Sequence, residues 1–156
     1  MTEETPASTL SRLLMGAHVS QAIHVAAAMG IADLLSDGPR TSERLAAETD
    51  AHADSLYRLL RALASVGVLR EDEQQRFALT PVGELLRPDV PGSLHGWAAF
   101  VGRPYIRAAW SELEHSIRTG ETAFRHVHGT DVWSYRAEHS EESEIFDRAM
   151  ESLTGG

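Results

Sequence analysis

Between Thr9 and Gly30 the chain places apolar residues around most of a helical circumference and carries few charges there. Leu10, Leu13, Leu14, Ala17, Ala22, Ile23, Ala26 and Ala27 cannot all face one neighbour. A helix that is apolar on more than one face needs two partners to cover it. The pattern therefore predicts a long helix over residues 8–29, ending where Met29 meets Gly30. One side would rest on its own domain and the other on a second subunit, or the helix would be buried whole within one core.

The rest of the first half is built from shorter units. Residues 31–35 predict a short helix closed by the turn Ser36-Asp37-Gly38-Pro39. Thr41 or Ser42 can cap a helix carrying Leu45 and Ala46. Leu56, Leu59, Leu60, Leu63 and Val66 then recur at three- and four-residue spacing, an amphipathic helix that Gly67 stops. Residues 68–70 and 76–79 read as two short strands around a polar turn. Thr80-Pro81 is an N-cap followed by proline in the first turn of a helix over residues 82–86. Two short helices followed by a two-stranded wing make a winged helix-turn-helix.

The final third differs in character. It holds all three Trp (Trp97, Trp110, Trp133), two of three Tyr (Tyr105, Tyr135) and three of four Phe (Phe100, Phe124, Phe146). Its spacing predicts helices over residues 92–101, 104–118, 131–138 and 141–152. The fold class is therefore mainly α, with a small β-hairpin wing. The expected division is a disordered leader over 1–8, a winged-helix domain over 9–90 and an aromatic-rich helical segment over 91–156.

Charge and composition remove several function classes. With 156 residues there is room for one compact domain. The net charge is −9, and Glu71-Asp72-Glu73 stand at the wing tip. Carboxylates there oppose a phosphate backbone, so nucleic acid is not an expected partner despite Arg44, Arg58, Arg61 and Arg70. The absence of Cys excludes disulfides, thiolate metal sites and a Cys nucleophile. The acidic first residues are the reverse of a secretory signal, and no apolar run reaches the length of a membrane span. A soluble, cytoplasmic protein without a membrane partner is expected.

Individual motifs carry little chemistry. His126 and His128 flank Val127, and on a strand both imidazoles would face one side, as a zinc site requires. No third ligand has a fixed spacing, so no metal is expected. There is no Gly-rich nucleotide loop. No catalytic residue and no cofactor-binding residue can be named in this chain.

The order of segments is more informative. "LYRLLRALASVGVL", "LTPVGELL", "TGETAF" and "FDRAM", in that order, resemble the amino-terminal domain of the S-adenosylmethionine-dependent small-molecule O-methyltransferases, the bacterial polyketide-tailoring and plant caffeate type. The resemblance runs from about Leu13 to Met150. It implies a homodimer formed through the long first helix, about residues 10–29, and a winged helix that packs rather than reads DNA. It implies a final third acting as a lid over a small aromatic acceptor. It also implies that S-adenosylmethionine is held by a Rossmann-like domain beyond Gly156, so these residues alone would bind no cofactor and be inactive. Flat apolar acceptors suit a wall of aromatic and Met side chains. Trp97, Phe100, Tyr105, Trp110, Phe146 and Met150 are the candidates, with ordinary core packing as the alternative. Phe146 and Met150, one turn apart, are the strongest pair. Arg118 and Arg125 flank the Thr-Gly-Glu turn and could meet an acidic acceptor or pair with Glu121. Hydroxylation or decarboxylation on the same scaffold, a winged-helix transcriptional regulator and a free-standing small-molecule binder remain open alternatives.

Overall fold

Thr5 opens the first helix. Its hydroxyl accepts from Ser8 N at 3.2 Å, and Pro6 fills a first-turn position where no N–H is needed. The computed structural model describes residues 5–154. Helix α1 (Pro6–Leu14) and helix α2 (Gly16–Ala28) replace the single helix expected over 8–29. At Met15 ψ flattens to −8°, and a glycine, a poor helix former, follows. Hydrogen bonding still crosses the break, with Met15 N on Ser11 O and Val19 N on Met15 O, each 3.1 Å. Of the leader expected over 1–8, the first four residues lie outside the described ones, and Pro6 to Ser8 belong to α1.

Gly30, at φ 66°, takes the left-handed conformation that lets α3 (Ile31–Leu34) leave α2 at an angle. Strand β1 (Arg40–Thr41) leads into α4 (Ser42–Thr49), where Thr41 accepts from Arg44 N as the cap. Helix α5 (Ala53–Ser65) follows, then β2 (Leu69–Glu71), β3 (Arg76–Leu79) and α6 (Pro81–Glu84). The sheet is antiparallel in the order β1-β3-β2, with Leu69 opposite Leu79 and Arg40 opposite Phe77. The expected two-stranded wing thus gains a third strand, two residues long and too short to leave a sequence pattern. Asp72 holds the hairpin turn, accepting from the backbone N–H groups of Gln74 and Arg76, both at 3.0 Å.

The chain forms two compact units that divide between Glu84 and Leu85. The first has its own core of Ile31, Leu45, Leu60, Leu63 and Phe77, all essentially without solvent exposure. In the amphipathic repeat of α5, Leu56, Leu60 and Leu63 point inward, whereas Val66 at the helix end is 46% exposed.

The second unit is helical: α7 (His95–Val101), α8 (Pro104–Ser111), α9 (Leu113–Thr119), α10 (Ala123–His128), α11 (Val132–Glu138) and α12 (Ser140–Thr154). The helix expected over 104–118 is two, divided at Glu112. Helix α10 lies where no helix was expected. Thr122 caps it and Gly129, at φ 72°, ends it. No helix of the described residues is long and apolar enough to cross a membrane.

Leu60 has no exposed surface and sits between α5 and the rest of its unit. Leu60→Ala is expected to lower the unfolding free energy by about 2–5 kcal/mol in a denaturant titration. A loss below about 1 kcal/mol would show that this core does not hold the unit.

Candidate functional site

The second unit gathers its aromatic residues because α7 and α12 touch at backbone level. Gly96 makes this possible: a Cβ there would lie 2.4 Å from the Arg148 carbonyl oxygen. Trp97 N donates to Ser152 Oγ at 3.1 Å, tying the two helices further along. Ala149, wholly buried, lies at the centre of the contact beside Phe100 and Tyr105.

Five of the six expected wall residues come together here. Phe100 and Tyr105 are buried, and Trp97, Phe146 and Met150 pack against them. Rings meet edge-on or tilted: Trp97–Phe100 at 5.6 Å between centroids and Phe100–Phe146 at 5.5 Å. Phe146 and Met150 share a face of α12 while Asp147 is exposed, as their spacing implied. The sixth residue, Trp110, stands apart and is 65% exposed. It lies five residues beyond Tyr105 on α8, about 140° around the helix from the side that faces inward.

Three residues were not singled out from sequence for this wall. Phe124 and Tyr135 extend it, with Tyr105 stacked on Tyr135 at 5.1 Å and 12°. The third is Arg136, a buried cation at 7% exposure. Its guanidinium carbon lies 3.6 Å from the Phe146 ring centroid and 5.4 Å from that of Trp133. Its Nε donates to Tyr105 Oη at 3.2 Å. Burial raises the pKa of the Tyr105 hydroxyl, against the opposing pull of Arg136. A sequence signal for Arg136 existed: Val132, Tyr135 and Arg136 share the i, i+3, i+4 face of α11.

Around this core, charge is locally neutralised. Arg103 grips Glu142 through Nε and Nη2 and reaches Glu141 at 3.3 Å. Arg118 pairs with Glu114 at 2.7 Å rather than with Glu121, and Arg125 is exposed. His126 and His128 lie on a helix instead of a strand, so their side chains diverge by about 200°. His126 stacks on His115 at 3.8 Å, while His128 Nε2 lies 2.9 Å from the Tyr105 carbonyl oxygen. Among the described residues no group of three His, Asp or Glu could hold a metal ion. In the first unit, Arg61 pairs with Glu71 at 3.4 Å and Arg44 with Glu48 at 3.2 Å. A cleft of about 350 Å³ lined by His95, Arg148 and Glu151 involves none of the aromatic wall.

The comparisons with known proteins identify the scaffold. The O-methyltransferase dimerisation domain model matches residues 11–89. The phenazine O-methyltransferase of Lysobacter antibioticus is 42% identical over 147 residues, covering 94% of this chain and 43% of that protein. The crystal structure of LaPhzM superposes with a TM-score of 0.90 at 41% identity, covering 96% of this chain and 45% of that one. A third is the O-methyltransferase NcsB1 from neocarzinostatin biosynthesis, solved with S-adenosylmethionine and 2-hydroxy-5-methyl naphthoic acid. It superposes at 0.73 with 36% identity, over 86% of this chain and 42% of its own. The chain belongs to the O-methyltransferase dimerisation-domain family, and it spans less than half the length of these relatives.

Two consequences of this geometry can be measured. Gly96→Ala forces α7 and α12 apart and is expected to cost about 1–3 kcal/mol in unfolding free energy; an unchanged value would mean the two backbones can separate freely. Asp131 caps α11, accepting from Trp133 N at 2.9 Å and Ser134 N at 3.0 Å. The Ser134 backbone bond, foremost, holds its pKa below the usual aspartate range. Its contribution to stability is therefore complete above about pH 4 and is lost as pH falls through the depressed value. An NMR titration in which Asp131 ionises at or above that ordinary value would show the cap is not formed.

Proposed function

We propose that this chain supplies the dimerisation and acceptor-binding part of an S-adenosylmethionine-dependent methyltransferase acting on a planar aromatic acceptor. The observation that carries the reading is the aromatic wall of Trp97, Phe100, Tyr105, Phe146 and Met150 in a chain of this family. The relatives' names point the same way, since one acts on a phenazine and another was solved with a naphthoic acid. Methyl transfer is an in-line displacement, and catalysis consists largely of aligning the acceptor atom with the methyl group and excluding water. Stacked rings fix the plane of a flat acceptor, and their apolar surface removes water from it. S-adenosylmethionine supplies the methyl group. In this reading its binding residues belong to a Rossmann-like domain outside these 156 residues, and no catalytic base is assigned to this chain.

The homodimer is assigned to α1 and the start of α2. Leu10, Leu13 and Leu14 are 58%, 64% and 70% exposed, and α1 buries no residue of its own. Three leucines exposed on one short helix are stable in water when a second apolar surface covers them. A second copy of the chain is the covering surface proposed here.

Analytical ultracentrifugation tests the assembly. The chain is expected to sediment as a dimer at micromolar concentration, and Leu10→Glu, Leu13→Glu and Leu14→Glu together are expected to give a folded monomer. A monomeric unmodified chain, or a dimer that survives all three substitutions, overturns the assignment. Calorimetry with S-adenosylmethionine is expected to show no binding to the 156 residues alone; measurable heat of binding would move cofactor residues into this chain.

A further inference from the structure

Among its described residues the second unit buries a positive charge and forms no ion pair with it. Arg is rarely buried without a partner, because removing its charge from water is expensive unless an anion or a set of acceptors compensates. Arg136 is 7% exposed, and among the described residues its one side-chain hydrogen bond goes from Nε to the neutral Tyr105 hydroxyl. No carboxylate of the described residues forms an ion pair with it, and its terminal nitrogens have no hydrogen-bond partner there. The carboxylate whose charge reaches Tyr105, Glu142, is already gripped by Arg103.

What surrounds Arg136 instead is aromatic. The guanidinium lies over Phe146 at 3.6 Å and between 5.4 and 6.0 Å from the centroids of Trp133, Phe100 and Tyr105. Cation–π attraction offsets part of the desolvation cost but leaves the in-plane N–H donors unused. Those donors form a planar fork that fits a carboxylate in bidentate fashion. Trp133, whose ring is 5.9 Å from that of Phe146, is 66% exposed beside them. An exposed indole next to a guanidinium with unused N–H donors presents a stacking surface and an anion receptor together.

We propose that Arg136 is a specificity residue that selects an aromatic ligand bearing a carboxylate, with Trp133 stacking on the ring that carries it. The inference rests on the acceptor-wall reading and narrows it from any planar aromatic to an acidic one. Arg136 takes no part in bond making.

The test compares 1-naphthoate with its uncharged isostere 1-naphthamide by isothermal titration calorimetry on the 156-residue chain. The unmodified chain is expected to prefer the carboxylate by about tenfold or more, the usual scale for a hydrogen-bonded charge pair. Arg136→Leu is expected to abolish that preference, bringing carboxylate affinity to or below that of the amide, and Arg136→Lys to restore part of it. Trp133→Ala is expected to weaken both ligands alike. Equal affinity of the unmodified chain for the two compounds overturns the role of Arg136 and leaves the aromatic wall standing. A carboxylate preference that survives in Arg136→Leu also overturns it. Binding of neither compound by a chain whose circular dichroism shows it folded overturns both this inference and the wall. The ratio measured on the unmodified chain decides the matter even if Arg136→Leu does not fold.

Discussion

The approach of α7 to α12 at Gly96 is the constraint on which the second unit depends. Two helices can pack with backbones this close only where one of them lacks a side chain, and here the missing Cβ would sit 2.4 Å from a carbonyl oxygen. The approach puts Ala149 at zero exposure and brings Phe146 and Met150 against Trp97 and Phe100, residues about fifty positions earlier. Closing so long a loop costs entropy that local propensity does not repay. The aromatic rings, each burying a large apolar area, repay it. In the proposed reading the same rings that close the loop also form the surface offered to a ligand, so packing and recognition become properties of one cluster.

The two units solve the problem of burial differently. In the first, aliphatic side chains from α3, α4 and α5 meet Phe77 of the sheet, and the core is sealed. What it leaves outside is α1, with its exposed leucines. In the second, little is sealed: Phe100, Tyr105 and Ala149 are buried, and most of the remaining aromatic surface is only half covered. A sealed core tolerates no ligand, and a half-covered aromatic face is available to one. The division between Glu84 and Leu85 therefore separates a sealed aliphatic core with exposed leucines on α1 from a half-covered aromatic cluster.

Much of the first unit was legible in the sequence because its signals are local. The leucine spacing of α5, the caps at Thr41 and Thr80 and the stops at Gly30 and Gly67 each act within one turn of chain. The break at Met15 and the two-residue strand β1 were not legible, since a single flattened residue and a strand that short leave no periodicity. In the second unit, five of the six residues expected to form a wall pack in one cluster, and Trp110 stands outside it. Trp110 illustrates the limit: its type suits a wall, but its angular position on α8 is fixed by which face Tyr105 turns inward. The spacing of His126 and His128, from which no metal was expected, carries a related ambiguity. Two residues apart is one side on a strand and nearly opposite sides on a helix, and Thr122 and Gly129 were the marks of the helix.

Arg136 shows how far local reasoning goes. Its spacing with Val132 and Tyr135 puts it on the inward face of α11, but a charged residue on such a face ordinarily reads as a tail reaching solvent. Only the tertiary arrangement shows that the guanidinium lies over Phe146 and that Glu142, a neighbouring carboxylate, is held by Arg103. Replacing a buried charge by an apolar side chain of similar volume is often neutral or stabilising. Stability alone therefore gives little reason for a charge at this position. A guanidinium set among four aromatic rings has its N–H fork placed before any ligand arrives. An anion meeting it forms its hydrogen bonds with little ordering of the receptor, which is the physical advantage of a preorganised site.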